Sequence, residues 1–192
     1  MALTTLDAVP ALVIIDLQKG IVGLPTVSSA DLIVERSAQL ARAFRERGLP
    51  VILVNVDGRA PGRTEAGPPN FAFPLDWSEL VPELNPQPTD LRVTKQRWGA
   101  FLGTNLNDLL RQLGVTQIFL AGIATSAGVE STGRSAYDYG YNVVFVTDAM
   151  TDRNAEIHRL VVAQIFPRMG ETDTAENVLR MLKTGNFRNE GA

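Results

Sequence analysis

Continuous apolar runs alternate along the chain with segments in which apolar residues recur every three to four positions. The first run, Ala11 to Ile15, ends at Asp16 and is typical of a central parallel strand buried on both faces. Helical spacing follows from Asp31 to Arg47, and the run from Pro50 to Val56 predicts a second strand. Because such crossovers are right-handed, the two strands are predicted to be parallel neighbours. The predicted inner face of the helix is formed by Leu32, Leu40, Ala43 and Phe44.

The alternation continues to the end of the chain, and no repeat or linker divides it. Strands are predicted at Leu91–Lys95, Thr116–Ile123 and Asn142–Thr147, with a last short strand near Gly170. Helices are predicted at Thr104–Leu113, Ser126–Tyr139, Asn154–Phe166, and in a final segment where Asp173 and Glu176 have capping-box spacing. The predicted fold class is α/β, a three-layer αβα arrangement with a six-stranded, mostly parallel, Rossmann-like sheet and helices on both faces. A chain of 192 residues is predicted to form a single domain, 1–192.

Residues 58 to 90 break this rhythm with a high density of glycine and proline. Irregular segments of this length in a compact domain are usually functional or mobile. We interpret the segment as a loop over the active site, with a short helix near Trp77 to Leu84.

Composition and charge narrow the function classes. The formal charge is −3 and no run of lysine and arginine occurs, so neither nucleic acid nor a membrane surface is an expected partner. No secretory signal is recognisable at Met1 to Pro10, which makes a cytoplasmic protein the expectation. The chain has no cysteine and one histidine, so disulfides, thiol nucleophiles and multi-histidine zinc sites are excluded. No cofactor and no metal are expected.

Three polar or glycine-bearing positions follow the predicted strands. They are Asp16, Lys95 and the Gly122 to Gly128 turn (GIATSAG) at the start of a helix. Open α/β sheets bind ligands at the carboxyl ends of their strands, and free amides at a helix start bind anions. We expect Asp16 and Lys95 to lie within ion-pair reach beside this turn, on adjacent strands. The alternatives are a turn residue for Asp16, a solvated surface lysine, and simple strand-to-helix packing for the small residues.

Three blocks of sequence carry a resemblance to a known family. The blocks ALVIIDLQKG, VTKQRWGAFLGTNLNDLLRQLGV and IFLAGIATSAGVESTGRSAYDYGYNVVFVTDAMTD resemble the isochorismatase-like (cysteine hydrolase) superfamily over nearly the whole chain. The resemblance implies that the usual Asp, Lys and Cys triad corresponds to Asp16, Lys95 and Gly128. It also implies a cis peptide bond between Ile123 and Ala124, and a homo-oligomer.

Glycine at position 128 departs from most of that superfamily. Its amidases use the cysteine as a nucleophile, which a glycine cannot replace. Isochorismatases resemble this chain in having glycine there, and they hydrolyse a vinyl ether without an enzyme nucleophile. The Asp-x-His metal arrangement of nicotinamidases is also missing, because residues 56 to 59 read Val, Asp, Gly, Arg. The resemblance therefore favours a metal-independent hydrolase.

Further residues are expected at the substrate site or near it. Gln18 is predicted to orient Asp16 or a water, with a surface position as the alternative. Phe101 is predicted in the core or at the pocket wall, and His158 in a surface or packing role. The predicted substrate-binding residues are Gln18, Trp98, Ile123, Ala124 and Thr125.

The leading hypothesis is a hydrolase of a small carboxylate-bearing molecule, in which Asp16 acts as general acid and base and Lys95 holds its charge and position. One alternative is a member of the same superfamily that has lost catalysis and serves as a small-molecule-binding or scaffold protein. Another is a nucleotide-binding protein, which is disfavoured because neither GxGxxG nor GxxxxGK[ST] occurs.

Overall fold

The structure is a computed structural model in which residues 3–65, 67, 73–185 and 187 are described, and these residues form a six-stranded sheet. Every strand is parallel to its neighbours, in the spatial order β3-β2-β1-β4-β5-β6. The predicted α/β class is confirmed. The strand order changes direction between the central strands β1 and β4, where doubly wound sheets bind their ligands. The strands are β1 Pro10–Ile15, β2 Val51–Val56, β3 Leu91–Lys95, β4 Gln117–Ile123, β5 Asn142–Thr151 and β6 Glu171–Asp173.

Helices cover both faces of the sheet and bury two separate apolar cores. The core on one face is closed by α2 and α6, and the core on the other face by α3, α4 and the segment from Val161 to Phe166. None of the described helices is long and apolar enough to cross a membrane. The helices are α1 Lys19–Val22, α2 Ala30–Glu46, α3 Leu106–Gln112, α4 Glu130–Asp138, α5 Ala155–Leu160 and α6 Ala175–Thr184.

The central strand β1 contributes to both cores. All six of its residues are buried, with Leu12 and Ile14 in the first core and Val13 and Ile15 in the second. Successive side chains of a strand point to opposite faces, so a strand that is covered on both sides must be apolar throughout. This burial explains the uninterrupted apolar run that predicted the strand.

Two predicted helices contain a wider turn than an α-helix. The helix expected at Ser126–Tyr139 begins with a π-helical turn at Thr125–Val129, and α4 follows it. The helix expected at Asn154–Phe166 is α-helical only as α5, and a second π-helical turn follows at Val161–Ile165. Such turns insert one residue into the hydrogen-bond ladder, and periodicity alone does not distinguish them from an α-helix.

The end of one predicted helix and the cap of another differ slightly from the pattern. The helix predicted to end at Phe166 is π-helical to Ile165, and a short 3₁₀ turn, Phe166–Arg168, follows with Pro167 early in the turn, where no proline N–H is needed. The N-cap of α6 is Thr174 rather than Asp173, and its side chain accepts the Asn177 N–H. Leu32, predicted on the inner face of α2, is 38% exposed because the buried stripe passes through its neighbours instead.

Strand β5 continues four residues beyond its predicted end at Thr147. The register between β4 and β5 shifts, so that Leu120 pairs with Phe145 and Gly122 with Met150. This irregularity places a polar Thr-Asp pair inside the strand, which interrupts the apolar pattern without ending the pairing. Because of this extension, the end of β5 lies at the carboxyl-terminal side of the sheet, where Asp16 also lies.

The described part of the 58–90 segment packs beside the end of β1. Leu80 forms an isolated antiparallel bridge with Gln18, and the Trp77 ring lies over Gly20. The only helical turn described in this segment is the 3₁₀ turn Pro82–Leu84, within the region predicted to contain a short helix. Residues 66 and 68–72 of the predicted loop lie outside the described residues.

Gly122 permits the close approach of β4 to β1. Its φ is +117°, and a Cβ at this position would lie 2.0 Å from the carbonyl oxygen of Ile15. Both a backbone angle that only glycine adopts readily and a backbone contact therefore require glycine. The consequence is that the turn after β4 lies directly against the end of β1.

We predict that Gly122→Ala destabilises the protein by about 3 kcal/mol or more, at the upper end of overpacking substitutions, because the atom that it meets is backbone. The measurement is the free energy of unfolding in urea. Gly62→Ala is the matched control, since a Cβ there meets nothing within 4 Å. Equal stability of the two variants would contradict this account of the β1–β4 contact.

Candidate active site

Asp16 is the first residue after β1, and its backbone has an unusual conformation. Its φ is +53°, in the left-handed region that short acidic side chains tolerate better than most residues. The residue is 6% exposed, and its N–H donates to the carbonyl oxygen of Val54. Positive φ values of non-glycine residues often occur at functional sites. The chain thus turns at Asp16 and directs a carboxylate into the protein at the edge of the sheet.

Lys95 pairs with this carboxylate. Its Nζ lies 2.7 Å from Asp16 Oδ2 and 3.0 Å from the Arg97 carbonyl oxygen, and the lysine is 2% exposed. The predicted ion pair is confirmed. The expectation that the two residues lie on adjacent strands is wrong, because β2 separates β1 from β3. Lys95 pairs in register with Val56, the last residue of β2, so its long side chain can reach past the end of that strand.

Burial controls the charge of Asp16. Removal from water raises the pKa of its carboxyl group to about 6, although the charge and hydrogen bond of Lys95 act in the opposite direction. The second carboxyl oxygen, Oδ1, is buried and has no hydrogen-bond partner among the described residues. Buried carboxyl oxygens normally have a partner, so Oδ1 is the exception at this site.

Gly128 lies against this carboxylate and has no space for a side chain. A Cβ on Gly128 would lie 2.8 Å from Ile15 Cγ2, 3.2 Å from Asp16 Oδ2 and 3.5 Å from the Trp98 carbonyl oxygen. The methyl group of Ile15 is fully buried and therefore cannot move away at low cost. Glycine at this position is thus required by the present packing of the site.

Hydrogen bonds to Asp152, which follows β5, and from Thr132, on α4, fix the turn Thr125–Val129. It follows the Ile123–Ala124 peptide bond, which is cis as the resemblance implied. The Ser126 N–H donates to Asp152 Oδ2 at 2.7 Å, and the Thr132 hydroxyl donates to the Gly128 carbonyl oxygen at 2.6 Å. These bonds hold the turn against the end of β1.

Asp152 was not found by the sequence reasoning. It follows the last residue of β5, is 5% exposed, and also accepts the backbone N–H of Arg153. The rule that identified Asp16, a carboxylate directly after a buried strand, applies to Asp152 as well. The rule failed here because β5 was predicted to end at Thr147.

The environments of Gln18 and Trp98, both predicted to bind the substrate, differ from the prediction. Gln18 is fully buried, which excludes the surface alternative; its Nε2 donates to the carbonyl oxygens of Val56 and Trp77, and its Oε1 accepts the Val56 N–H. Its amide therefore joins three chain segments. Trp98 is 69% exposed, and the part of it beside Gly128 is the backbone carbonyl group. Phe101 is buried in the second core.

The other predicted substrate-binding residues lie in the turn itself. Ile123 is buried in the first core, and Ala124 is partly buried against it. Thr125 is fully buried, and its hydroxyl lies 3.1 Å from the Thr151 carbonyl oxygen and 2.9 Å from His158 Nδ1. Contacts of these residues with a substrate stay predictions.

The described residues contain no group of three or more histidine, aspartate or glutamate side chains placed to hold a metal ion. The charged groups described at this end of the sheet include the Asp16 carboxylate, the Lys95 ammonium and the Asp152 carboxylate.

The chain is similar to known proteins over most of its length. A family model for the isochorismatase domain matches residues 10–177. An isochorismatase family protein of Bacillus subtilis, YwoC, is 42% identical over 90% of this chain and 94% of its own, and maleamate amidohydrolase of Pseudomonas putida is 25% identical over 91% and 87%. The structure of an isochorismatase family protein of Burkholderia thailandensis has 43% identity and a TM-score of 0.91, and the match covers 95% of this chain and 100% of that one.

The fold and the site therefore define a protein of the α/β class with a buried ionisable pair at the carboxyl ends of its parallel strands. The chain belongs to the isochorismatase family.

We predict that Lys95→Met raises the pKa of Asp16 further above about 6. The lysine charge and its hydrogen bond both lower that pKa, and a methionine supplies neither while keeping a similar length. The measurement is the titration of the Asp16 carboxyl carbon by NMR. Lys183→Met, which changes an exposed lysine on α6, should leave the titration unchanged, and an unchanged Asp16 pKa in Lys95→Met would show that the pair is not coupled.

We also predict an energetic coupling between Gly128 and Ile15. Gly128→Ala should be destabilising, and Ile15→Ala should cost about 2–5 kcal/mol as a core truncation. The double variant should be more stable than the sum of the two by about 0.5–3 kcal/mol, because the second change removes the methyl group that the new Cβ meets. Unfolding free energies measure this, and Gly62→Ala combined with Ile15→Ala should be additive.

Proposed function

We propose that this hydrolase acts on a small carboxylate-bearing molecule by proton transfer from Asp16, without a covalent intermediate on the enzyme. Hydrolysis of a vinyl ether is the reaction class that fits best. The observation that carries the proposal is the Asp16 carboxyl group: one oxygen is held by Lys95, the other is buried without a partner, and its pKa is raised to about 6.

An acid with this pKa is suited to act near neutral pH. About one molecule in ten still carries the proton at pH 7, and ionisation after transfer is stabilised by the adjacent Lys95. A positioned proton donor of this kind contributes about 10²–10⁴-fold to a rate. The lysine keeps Oδ2 in place, so the proton is delivered from Oδ1.

The reaction would proceed in three steps. Asp16 transfers its proton to the terminal alkene carbon of an enol pyruvyl ether, and the ether oxygen stabilises the resulting oxocarbenium ion. Water then adds to the cationic carbon while the Asp16 carboxylate accepts a proton. In the last step the hemiketal hydroxyl group loses its proton, the bond between that carbon and the ether oxygen breaks, and the ether oxygen gains a proton, which gives pyruvate and an alcohol and leaves Asp16 protonated.

We propose a carboxylate on the substrate from the resemblance to isochorismatases rather than from free amides of the turn Thr125–Val129. Three amides of this turn already have acceptors, because the Ser126 N–H donates to Asp152 and the N–H groups of Ala127 and Val129 donate to the Ala124 carbonyl oxygen. A relative in the family is named for hydrolysis of maleamate, which is also a small carboxylate. The amide bond of that compound differs from a vinyl ether, and the absence of cysteine from this chain supports the reaction that needs no thiol.

The alternative is a binding or scaffold protein that has lost catalysis. Gly128 is the observation that supports it, since most of the superfamily resembled by this chain carries a nucleophile there. The buried Asp16–Lys95 pair favours the enzyme, because an ion pair with an unpartnered oxygen is costly to keep without a use. A homo-oligomeric state, a cytoplasmic location and a single domain are further predictions.

We predict that Asp16→Asn lowers kcat/KM at least about 10²-fold on the best substrate in a panel of vinyl ethers, amides and ureas. In the wild-type protein kcat/KM should be highest below about pH 6 and fall about tenfold for each pH unit above it, because the protonated acid is the active form. Asp57→Asn is the matched control, since Asp57 is an exposed carboxylate at the same edge of the sheet.

Two results would overturn the proposal. Turnover that does not depend on Asp16 would place the chemistry elsewhere. Specific binding without turnover of any compound in the panel would favour the binding protein. Thermal unfolding of each variant must be measured alongside, so that loss of fold is not mistaken for loss of the acid.

A further inference from the structure

The only histidine of the chain lies beside the turn that carries Gly128. His158 is on α5, and its Nδ1 lies 2.9 Å from the Thr125 hydroxyl oxygen. Thr125 is the first residue of the turn Thr125–Val129 and is fully buried. The contact therefore connects an outer helix to the inner wall of the site.

The proton on this contact can be assigned from its partners. The Thr125 hydroxyl has one proton and lies 3.1 Å from the carbonyl oxygen of Thr151, which can only accept. The hydroxyl proton is therefore donated to Thr151, and the hydroxyl oxygen accepts from His158. It follows that Nδ1 carries the proton of the imidazole and that Nε2 carries the lone pair when the ring is neutral.

The surroundings favour the neutral ring. Partial burial lowers the pKa of His158, while the nearby charge of Asp152 acts in the opposite direction and is the smaller effect. The neutral imidazole with its proton on Nδ1 is thus the form expected at neutral pH. The hydrogen bond to Thr125 then has a fixed direction.

We propose that His158 is a positioning residue for the active site, holding the turn Thr125–Val129 through Thr125 so that Gly128 stays against Asp16. The histidine does not touch the reacting atoms in this proposal. Two attachment points join the turn to other parts of the fold: His158 and Thr151 at Thr125, and Asp152 at Ser126. A displacement of about 1 Å at a catalytic group can cost about 10²-fold in rate, so such an attachment has a functional effect.

The first test uses the fact that a single histidine gives unambiguous NMR signals. The ¹⁵N resonances of the imidazole should show the proton on Nδ1 in the wild-type protein. Thr125→Val removes the acceptor while keeping the shape, and the Nδ1 tautomer should then lose its preference. A wild-type ring with its proton on Nε2, or a tautomer that Thr125→Val does not change, would overturn the assignment.

The second test compares two replacements of the histidine. In His158→Asn the Nδ2–H group occupies nearly the position of Nδ1–H and can donate to Thr125, whereas His158→Leu has no donor. We expect His158→Leu to lower kcat about 10- to 100-fold with little change in KM and to shift the pKa of Asp16, and we expect His158→Asn to restore most of both. Arg159→Ala, an exposed change on the same helix, is the control and should alter neither.

The readouts separate this inference from the proposed function on which it rests. The tautomer of His158 and the titration of Asp16 are measured without any substrate. If both respond as expected and no compound is turned over, the positioning role stands and the proposed reaction fails. If activity depends on Asp16 but His158→Leu changes neither kcat nor the Asp16 pKa, the proposed reaction stands and the positioning role is wrong.

Discussion

The buried ion pair between Asp16 and Lys95 is the interaction on which the site depends. Removing a carboxylate and an ammonium from water costs several kcal/mol for each ion, and only close pairing offsets this cost. The 2.7 Å contact requires β2 to end where it does, since the Lys95 side chain reaches past it from β3 to β1. Gln18 fixes that end by bonding both the N–H and the carbonyl oxygen of Val56. The geometry of three strands is therefore linked to one charge pair.

The end of β1 is confined by two glycines of the neighbouring segment. Gly122 contacts the carbonyl oxygen of Ile15, and Gly128 lies against the Ile15 methyl group and the Asp16 carboxylate. A side chain at either position would displace the residue that carries the acid. The glycine at 128 is thus required by the packing, because the space for a side chain is occupied. Ile15 belongs to the second core, so the packing of that core restricts the space beside the Asp16 carboxylate.

Several site residues were predictable because they follow strands that the apolar pattern defines well. Asp16 directly follows the apolar run of β1, and the small residues around Gly128 mark a close approach. Lys95 instead ends the short mixed strand Leu91–Lys95, where the family resemblance identified it. Asp152 was missed because the shift in β4–β5 pairing carries β5 through a polar pair, which the pattern interprets as the end of a strand. No local pattern indicated that the Gln18 amide joins backbone segments, since its partners Val56 and Trp77 are distant in sequence.

The sequence by itself determined the α/β class, the central strand, the carboxylate that follows it and the absence of any thiol, because these depend on local periodicity and residue type. Lys95 was singled out by the family resemblance. Only the tertiary structure decided that Lys95 reaches Asp16 across an intervening strand, that Asp16 is buried enough to raise its pKa, and that His158 bonds Thr125. These properties arise from side chains brought together from segments far apart in the chain. Their distances and solvent exposure depend on how the layers pack, and no local pattern encodes them.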